Sequence, residues 1–133
     1  MGTMQVINSG LSAQQLRLHI GAENIANANS TSGGPDGGPY RRQIVNFRSE
    51  VDRATGLNKV VAEAPRPDMA SPLNGTYDPS NPLADEQGMV MLSNVDTLKE
   101  SVDMREATRL YEANLQAFEA TKSMAVRTLD MLR

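Results

Sequence analysis

The last third of the chain limits the possible folds more than any other segment, because no Gly or Pro occurs from Asn94 to Arg133. Apolar residues recur there every seven positions: Met104, Tyr111, Phe118, Ala125 and Leu132. Further apolar residues lie beside this column and widen the stripe: Leu110, Leu115, Ala117, Met124, Leu129 and Met131. A seven-residue repeat is typical of an amphipathic helix that packs along one stripe. The pattern predicts one long helix over residues 93–133.

The predicted helix is longer than a compact domain of this size. At ~1.5 Å per residue, residues 95–133 would span roughly 58 Å. A domain of this chain length has a radius of gyration near ~14 Å and a diameter of roughly 36 Å. The length therefore predicts an elongated molecule, and a kinked helix in an ordinary core is the alternative that periodicity leaves open. Ser93 or Asn94 is predicted to cap the helix, since Ser93 and Asp96 have the spacing of a capping box.

A second helix is predicted near the N-terminus, from about Met4 to Ala28. Its residues fall into two columns of seven-residue spacing: Met4, Leu11, Leu18 and Ile25, and Ile7, Gln14, Gly21 and Ala28. Leu16 and Ile20 lie off these columns, which leaves open that a second helix face is also covered. Gly and Pro residues follow at 33–35 and are predicted to end the helix.

The middle of the chain, residues 30–92, holds all seven Pro residues. The segments RQIVNFRSEV (42–51) and LNKVVAEA (57–64) can form short strands, and so can residues 89–92. An extended, Pro-broken stretch lies between them, because each Pro disfavours helix at the residue before it. The predicted fold is therefore mainly α: two long terminal helices packed as an antiparallel, coiled-coil-like pair, with a small β-rich or irregular insertion. The predicted boundaries are 1–29, 30–92 and 93–133.

The composition excludes several classes of function. The net charge of −3 provides no positive field for nucleic acid or an anionic membrane. No run of about eighteen apolar residues exists to cross a bilayer, and the N-terminus lacks the apolar core of a cleaved secretory signal. The chain has no Cys and a single His, His19, which argues against an enzyme or a metal site. No cofactor is expected.

Three local motifs have structural rather than chemical interpretations. GGPDGG (33–38) is followed by Pro39 and not by the Lys and Ser or Thr of a phosphate loop. The segment 78–88 has Leu83 where a calcium loop needs Gly. Arg41 and Arg42 form a small basic cluster without an aromatic platform, so salt bridges are favoured over nucleic-acid contacts.

Large apolar residues are scarce in this chain. Leu, Ile, Val and Phe together number 27 of 133, about 20%, which lies at the edge of the composition associated with disorder. Such a chain has little apolar surface with which to offset its ordering entropy as a monomer. The apolar stripe is also wider than one hairpin of two helices can cover. An uncovered surface of this kind usually marks a site for a partner.

The segment LSAQQLRLHIGAENIANANS (11–30) resembles the N-terminal motif of the bacterial flagellar axial proteins of the rod and hook. That motif closes in an Asn-hydrophobe-Ala-Asn-Ala sequence, which residues 24–28 match. Further segments follow in the family's order and narrow the resemblance to the proximal rod: GPDGGPYRRQ (34–43), YDPSNPLADEQG (77–88), SNVD (93–96) and ATRLYEANLQAFEATKSM (107–124). The chain departs from the family pattern at Met89, where an aromatic is common, and at Ser93, where Pro is common.

The resemblance implies a structural role without a chemical step. The terminal helices would form a tube wall, copies would repeat along a helical path, and the rod would transmit torque as part of the drive shaft. The implied partners are copies of the chain, other flagellar rod proteins, the inner-membrane ring and the export apparatus, with no nucleic acid and no membrane insertion. The implied location is the periplasmic rod of the basal body, reached by type III export without a cleaved signal.

The predicted assembly residues lie on the apolar stripes of both helices and at three Asn positions. In the first helix they are Leu11, Leu18, Asn24, Ile25 and Asn27. In the second they are Leu110, Tyr111, Asn114, Leu115, Phe118, Met124 and Leu129. The three Asn side chains are predicted to tie helix ends or to bridge subunits through amide hydrogen bonds. The alternative function is a non-polymerising helical-hairpin binding module or export adaptor.

Overall fold

The computed structural model describes residues 2–133. Along the chain, two long helices flank six short strands, in the order α1, β1–β6, α2. The elements are α1 (Gly2–Ala26), β1 (Gln43–Ile44), β2 (Phe47–Val51), β3 (Asn58–Ala62), β4 (Arg66–Pro67), β5 (Asn74–Tyr77), β6 (Met89–Leu92) and α2 (Thr97–Met131). This confirms a mainly α chain with two terminal helices and a small strand-containing middle. The coiled-coil pairing of the helices stays a prediction.

The strands form three separate antiparallel pairs: β1 with β4, β2 with β3, and β5 with β6. The predicted strand over 42–51 is interrupted after Ile44 and becomes β1 and β2, which pair with different partners. The second predicted strand is shortened to β3, and the third coincides with β6. Two strands, β4 and β5, lie in the stretch that the Pro residues predicted to be extended.

Helix α1 ends two residues earlier than predicted. The Asn27 side-chain amide donates to the Glu23 carbonyl at 2.9 Å, and the Asn27 backbone N–H shares that acceptor at 3.1 Å. Turns follow from residue 27, and Gly33 has a φ of 88°, in the left-handed region that Gly adopts without strain. Asn27 therefore helps to end α1, because it bonds a carbonyl of the last turn.

Helix α2 begins at Thr97, and its N-cap is Asp96. The Asp96 Oδ1 accepts hydrogen bonds from the backbone N–H groups of Leu98 at 3.1 Å and Lys99 at 3.2 Å. The prediction that Ser93 or Asn94 caps this helix is wrong. Both side chains are buried before the helix begins, and the Asn94 amide bonds other backbone segments. At 35 residues, α2 is about 52 Å long.

The chain divides into two compact units. Residues 2–18, 46–64 and 104–133 form the hairpin unit, named for the β2–β3 hairpin. In it, the Ser9 hydroxyl accepts from the Val60 N–H at 3.0 Å and donates to the Val6 carbonyl at 2.6 Å. The Arg17 guanidinium lies 5.0 Å from the centre of the Phe47 ring. These contacts attach the strand pair to α1 at Ser9 and Arg17.

Within the hairpin unit, one stripe of α2 is less exposed than the rest of the helix. Its members follow the spacing of three and four residues: Met104, Ala107, Tyr111, Asn114, Phe118, Thr121 and Ala125. Gly10 lies against this stripe, because a Cβ added at Gly10 would be 3.1 Å from the Asn114 Nδ2. The seven-residue column predicted for α2, which starts at Met104, therefore lies on the covered face as far as Ala125. From Val126 onward every residue is exposed.

Residues 19–45 and 65–103 form the second unit, which we call the clasp unit. Its apolar cluster is small and consists of Ala28, Tyr40 and Val95. Polar side chains account for much of its interior: Asn24, Asp68, Ser93, Asn94 and Glu100 are all buried. The stability of a unit with so few buried apolar groups depends on whether its buried polar groups are hydrogen-bonded.

Ser93 is the exception among the buried polar residues. It is 0% exposed, and its hydroxyl has no hydrogen-bond partner among residues 2–133. An unsatisfied buried hydroxyl is destabilising. We therefore expect Ser93→Ala to raise the free energy of unfolding by about 1 kcal/mol in urea denaturation. Ser80→Ala is the control, since the Ser80 hydroxyl donates to Asp78 at 2.8 Å. A loss of stability in Ser93→Ala would show that the hydroxyl has a stabilising partner.

Candidate functional site

The side-chain amide of Asn24 joins the last turn of α1 to Tyr40 and to Gln43, the first residue of β1. Asn24 is 1% exposed. Its Oδ1 accepts from the Tyr40 hydroxyl at 2.7 Å and from the Gln43 N–H at 2.8 Å. Its Nδ2 donates to the Gln43 carbonyl at 3.0 Å. Asn24 thus pairs with Gln43 as the backbone of a neighbouring strand would.

Asn94 performs the same function at Arg42, the residue that precedes Gln43. Its Oδ1 accepts from the Arg42 backbone N–H at 2.6 Å. Its Nδ2 donates to the Asp68 carbonyl at 3.0 Å and to the Ser71 carbonyl at 3.3 Å. The residue therefore bonds two backbone segments besides its own. We call Asn24 and Asn94, with the backbone of residues 42–43 that they bind, the asparagine clasp.

A buried ion pair lies beside the clasp. The Arg42 Nε donates to the Glu100 carboxylate, and Glu100 is 4% exposed. The Arg42 Nη2 is also 3.9 Å from the Asp103 carboxylate. Breaking a buried pair of this kind leaves an uncompensated charge, which is strongly destabilising. The structural salt bridge favoured for the Arg41–Arg42 cluster is confirmed at Arg42.

Arg41 and Asp68 complete the polar interior. The Arg41 Nη1 donates to the Ser71 carbonyl at 3.0 Å. The Asp68 Oδ1 accepts from the backbone N–H groups of Ala70 at 3.0 Å and Ser71 at 3.1 Å. The segment 68–71 is thereby held by its own carboxylate and by two neighbouring side chains, Arg41 and Asn94.

The surroundings of Tyr40 keep its hydroxyl protonated. Burial, reinforced by the negative charges of Glu23 and Glu100, raises the pKa of Tyr40 to about 12. The phenol is therefore neutral near pH 7 and remains a hydrogen-bond donor to Asn24. The clasp does not change with pH through this group in the physiological range.

The predicted assembly residues of α1 are mostly occupied within the chain. Leu11 is buried, and Leu18, Ile25 and Asn27 are partly exposed. Asn24 uses both amide atoms in the clasp. Contacts within the chain itself thus occupy much of this surface of α1.

The predicted residues of α2 separate into two groups. Tyr111, Asn114 and Phe118 lie on the covered stripe. The other four are exposed by 40% or more: Leu110, Leu115, Met124 and Leu129. Contacts between copies through either group stay a prediction.

Apart from Asn24, which was predicted, the most highly bonded residues of the clasp unit were not among the predicted site residues. Tyr40, Arg42, Asp68 and Glu100 gave no apolar periodicity, and Asn94 was assigned to helix capping. Tyr40 and Arg42 lie in GPYRRQ and Asn94 lies in SNVD, two segments that carry the resemblance, whereas Asp68 and Glu100 lie in neither. The short polar composition of these two segments was the available signal, but it does not specify partners 26 to 58 residues away.

An open groove of about 420 Å³ lies in the hairpin unit between α1 and β3. Ser9, Ser12, Ala13 and Leu16 line one side, and residues 59–62 line the other. Within residues 2–133, no group of three or more His, Asp or Glu is arranged to hold a metal ion. None of the described helices is long and apolar enough to cross a membrane. Two Ser side chains and Lys59 line the groove together with small and aliphatic side chains.

Comparison with known protein families identifies the class of protein to which these helices belong. Two family models match the chain at its ends: "Flagella basal body rod protein" over residues 4–33, and "Flagellar basal body rod FlgEFG protein C-terminal" over residues 86–131. The matched segments contain most of α1 and all of α2. The fold and site therefore define a flagellar axial protein of the basal body.

Similar proteins cover nearly the whole chain. The flagellar basal-body rod protein FlgC of Agrobacterium fabrum is 44% identical over 97% of this chain and 92% of its own length. FlgC of Salmonella typhimurium is 39% identical over 98% and 96%, and FlgC of Borreliella burgdorferi is 38% identical over the same shares. The chain belongs to the FlgC family of flagellar basal-body rod proteins.

Removing the Asn24 amide tests the clasp. In Asn24→Ala the Gln43 N–H and carbonyl and the Tyr40 hydroxyl lose their partner in the unit's interior. We expect a loss of about 2–4 kcal/mol in the free energy of unfolding, measured by urea denaturation. Asn8→Ala is the matched control in the same helix, because Asn8 is exposed. Equal, small effects of both substitutions would contradict the clasp.

The segment 68–71 should show its own pH dependence. Hydrogen bonds from the Ser71 side chain and from the Ser71 and Ala70 backbone lower the pKa of Asp68. A lowered folded-state pKa stabilises the fold above the unfolded pKa, and this contribution disappears as the pH falls through the folded value. We expect Asp68→Asn to weaken the fall in stability between neutral and acid pH, measured as thermal midpoints. An unchanged pH profile would contradict this role.

Proposed function

We propose that this chain is a structural subunit of the proximal part of the flagellar rod, where copies polymerise along a helical path to form part of the drive shaft. The observation that supports this is the exposed apolar surface of α2 in a member of the FlgC family. Leu110 and Leu115 are each 40% exposed, Leu129 62% and Leu132 80%. Surfaces of this kind are covered by partners in stable assemblies.

The energetics favour burial of these side chains between subunits. At about 25 cal/mol per Å² of apolar surface, a few hundred Å² per neighbour contributes several kcal/mol before ordering costs. A helical polymer requires contacts between two different surfaces of each copy, because contacts that close on themselves stop growth. The covered stripe of α2 would then hold the subunit together, while the exposed residues bind neighbours.

In this function, we assign the terminal segments 1–29 and 93–133 to the rod core and residues 30–92 to contacts around it. The two helices would pack there as an antiparallel, coiled-coil-like pair. The clasp suits a drive shaft because it fixes the last turn of α1 and the segment before α2 through buried hydrogen bonds. Rigid attachment lets a subunit transmit torque without unfolding locally.

The proposed route to this position is type III export without a cleaved signal. The absence of Cys means that no disulfide must form or be reduced during passage. Scarce large apolar residues keep the unassembled chain marginally stable, which suits transport through a narrow channel. The proposed partners are copies of this chain, other rod proteins, the inner-membrane ring and the export apparatus, in the periplasmic part of the basal body.

A charge on the exposed side of α2 should block assembly without unfolding the subunit. Leu115→Asp places a carboxylate on a residue that is 40% exposed, so the monomer should tolerate it. We expect loss of swimming and of the chain from isolated basal bodies, with the protein still exported. Phe118→Asp should also block assembly, but it changes the covered stripe and so can also lower monomer stability.

Gln116→Asp is the matched control for Leu115→Asp. It adds the same charge one residue further along α2, on a different side of the helix, and Gln116 is exposed. Normal motility is expected for this control. Normal motility of Leu115→Asp as well would contradict the assignment of this side of the helix to an interface.

A further inference from the structure

The outward side of the β5–β6 strand pair is an apolar face that no other described part of the clasp unit covers. The register opposes Tyr77 to Met89 and Gly75 to Met91, so these four residues share one side of the strand pair. Val90, on the other side, is 2% exposed and faces the interior of the clasp unit. Tyr77 is 71% exposed and Met91 44%.

Gly75 shapes this face. A Cβ added there would lie 3.1 Å from the Met89 Cε and 3.8 Å from the Met91 Sδ, so both Met side chains cover the Gly backbone. The Tyr77 ring lies against Gly88 in the same way, since a Cβ at Gly88 would be 2.9 Å from the Tyr77 Cε2. The result is a shallow apolar surface made of one aromatic and two adaptable thioether side chains. A helix can pack across such a surface.

The edge of this face is acidic. No Lys or Arg occurs between Arg66 and Lys99, a stretch that carries five Asp or Glu. The loop that joins β5 to β6 contributes three of them, and Asp85 and Glu86 are exposed. The whole clasp unit has nine acidic residues against four basic ones, a net charge of −5. The hairpin unit has seven against nine, a net charge of +2.

The end of α2, in the hairpin unit, has the complementary character. Residues 122–133 carry three basic residues and one acid, Asp130. Lys122, Val126 and Leu129 are spaced by four and three residues and therefore share one helix face, and Arg133 follows the helix. Val126 is 51% exposed and Leu129 62%. This segment thus has an apolar centre with cations at both ends.

We propose that the Tyr77–Met89–Met91 face of one copy binds the Lys122–Val126–Leu129 face of a neighbouring copy. Opposite charges orient the helix end, and the apolar residues of both surfaces lose their exposure to water. The contact joins two different surfaces, so it is heterologous and can be repeated from copy to copy. This inference rests on the proposed function and names one of the surfaces through which the polymer would form.

The absence of Cys from the chain permits a direct test by cross-linking. Cells would co-express two differently tagged full-length copies, Met91→Cys and Val126→Cys, and isolated basal bodies would be treated with a short bismaleimide. A heterodimer carrying both tags can form only between copies. We expect this product in assembled rods, and we expect no such product when the rods are dissociated before the bismaleimide is added.

Met124→Cys is the matched control for Val126→Cys. Met124 is 67% exposed, but two residues along a helix lie roughly 160° apart around its axis. We expect no heterodimer between Met91→Cys and Met124→Cys copies. Equal yields for both pairs, or no product for either pair in rods that contain the chain, would overturn this inference alone. Basal bodies that lack the chain altogether would instead contradict the proposed function.

Charge reversal provides a second, independent measurement. Glu86→Lys is preferred to a change at Asp85, whose Oδ1 accepts the Gln87 and Met89 N–H groups. Glu86→Lys and Lys122→Glu should each lower the yield of heterodimer, and the two reversals together should restore it. Glu63→Lys, an exposed reversal in the hairpin unit, should leave the yield unchanged. Additive losses in the double reversal would overturn the proposed contact.

Discussion

The clasp unit depends on two side-chain amides that replace missing strand pairing. Strands β1 and β4 pair over only two residues each, and Pro67 has no N–H to donate. Asn94 supplies an acceptor for Arg42 and donors for the Asp68 and Ser71 carbonyls just beyond this pairing. Without these bonds, backbone groups would lie unsatisfied next to an apolar cluster of only three residues.

Helix α2, in contrast to the clasp, leaves much of its apolar surface uncovered. Helix α2 covers one narrow stripe and leaves most of its other large apolar side chains in water. A monomer gains little from such residues, because apolar groups stabilise a fold only when they leave water. The chain therefore combines a clasp unit fixed by polar bonds with an exposed apolar surface on α2.

The helices were the most predictable elements, because their signal is local. The seven-residue repeat gave α2 and also its covered column from Met104 to Ala125, and strand β6 was located by its short apolar run. The boundaries were less predictable: Asp96, and not Ser93 or Asn94, caps α2. The clasp could not be predicted, because an Asn side chain suits a cap, a turn or a buried bridge equally well by residue type.

The amino-acid sequence by itself determined the two helices, the broken middle, the absence of thiol chemistry and the family resemblance, since each follows from local order or composition. Tertiary structure alone decided which polar residues meet. Arg42 forms a hydrogen bond with Glu100, 58 positions further along the chain, and Asn24 forms one with Gln43, 19 positions further along. It also decided which apolar residues stay exposed, because burial depends on what the folded chain brings against a helix face. Repeating sequence patterns define such faces, but only packing determines which of them the chain covers.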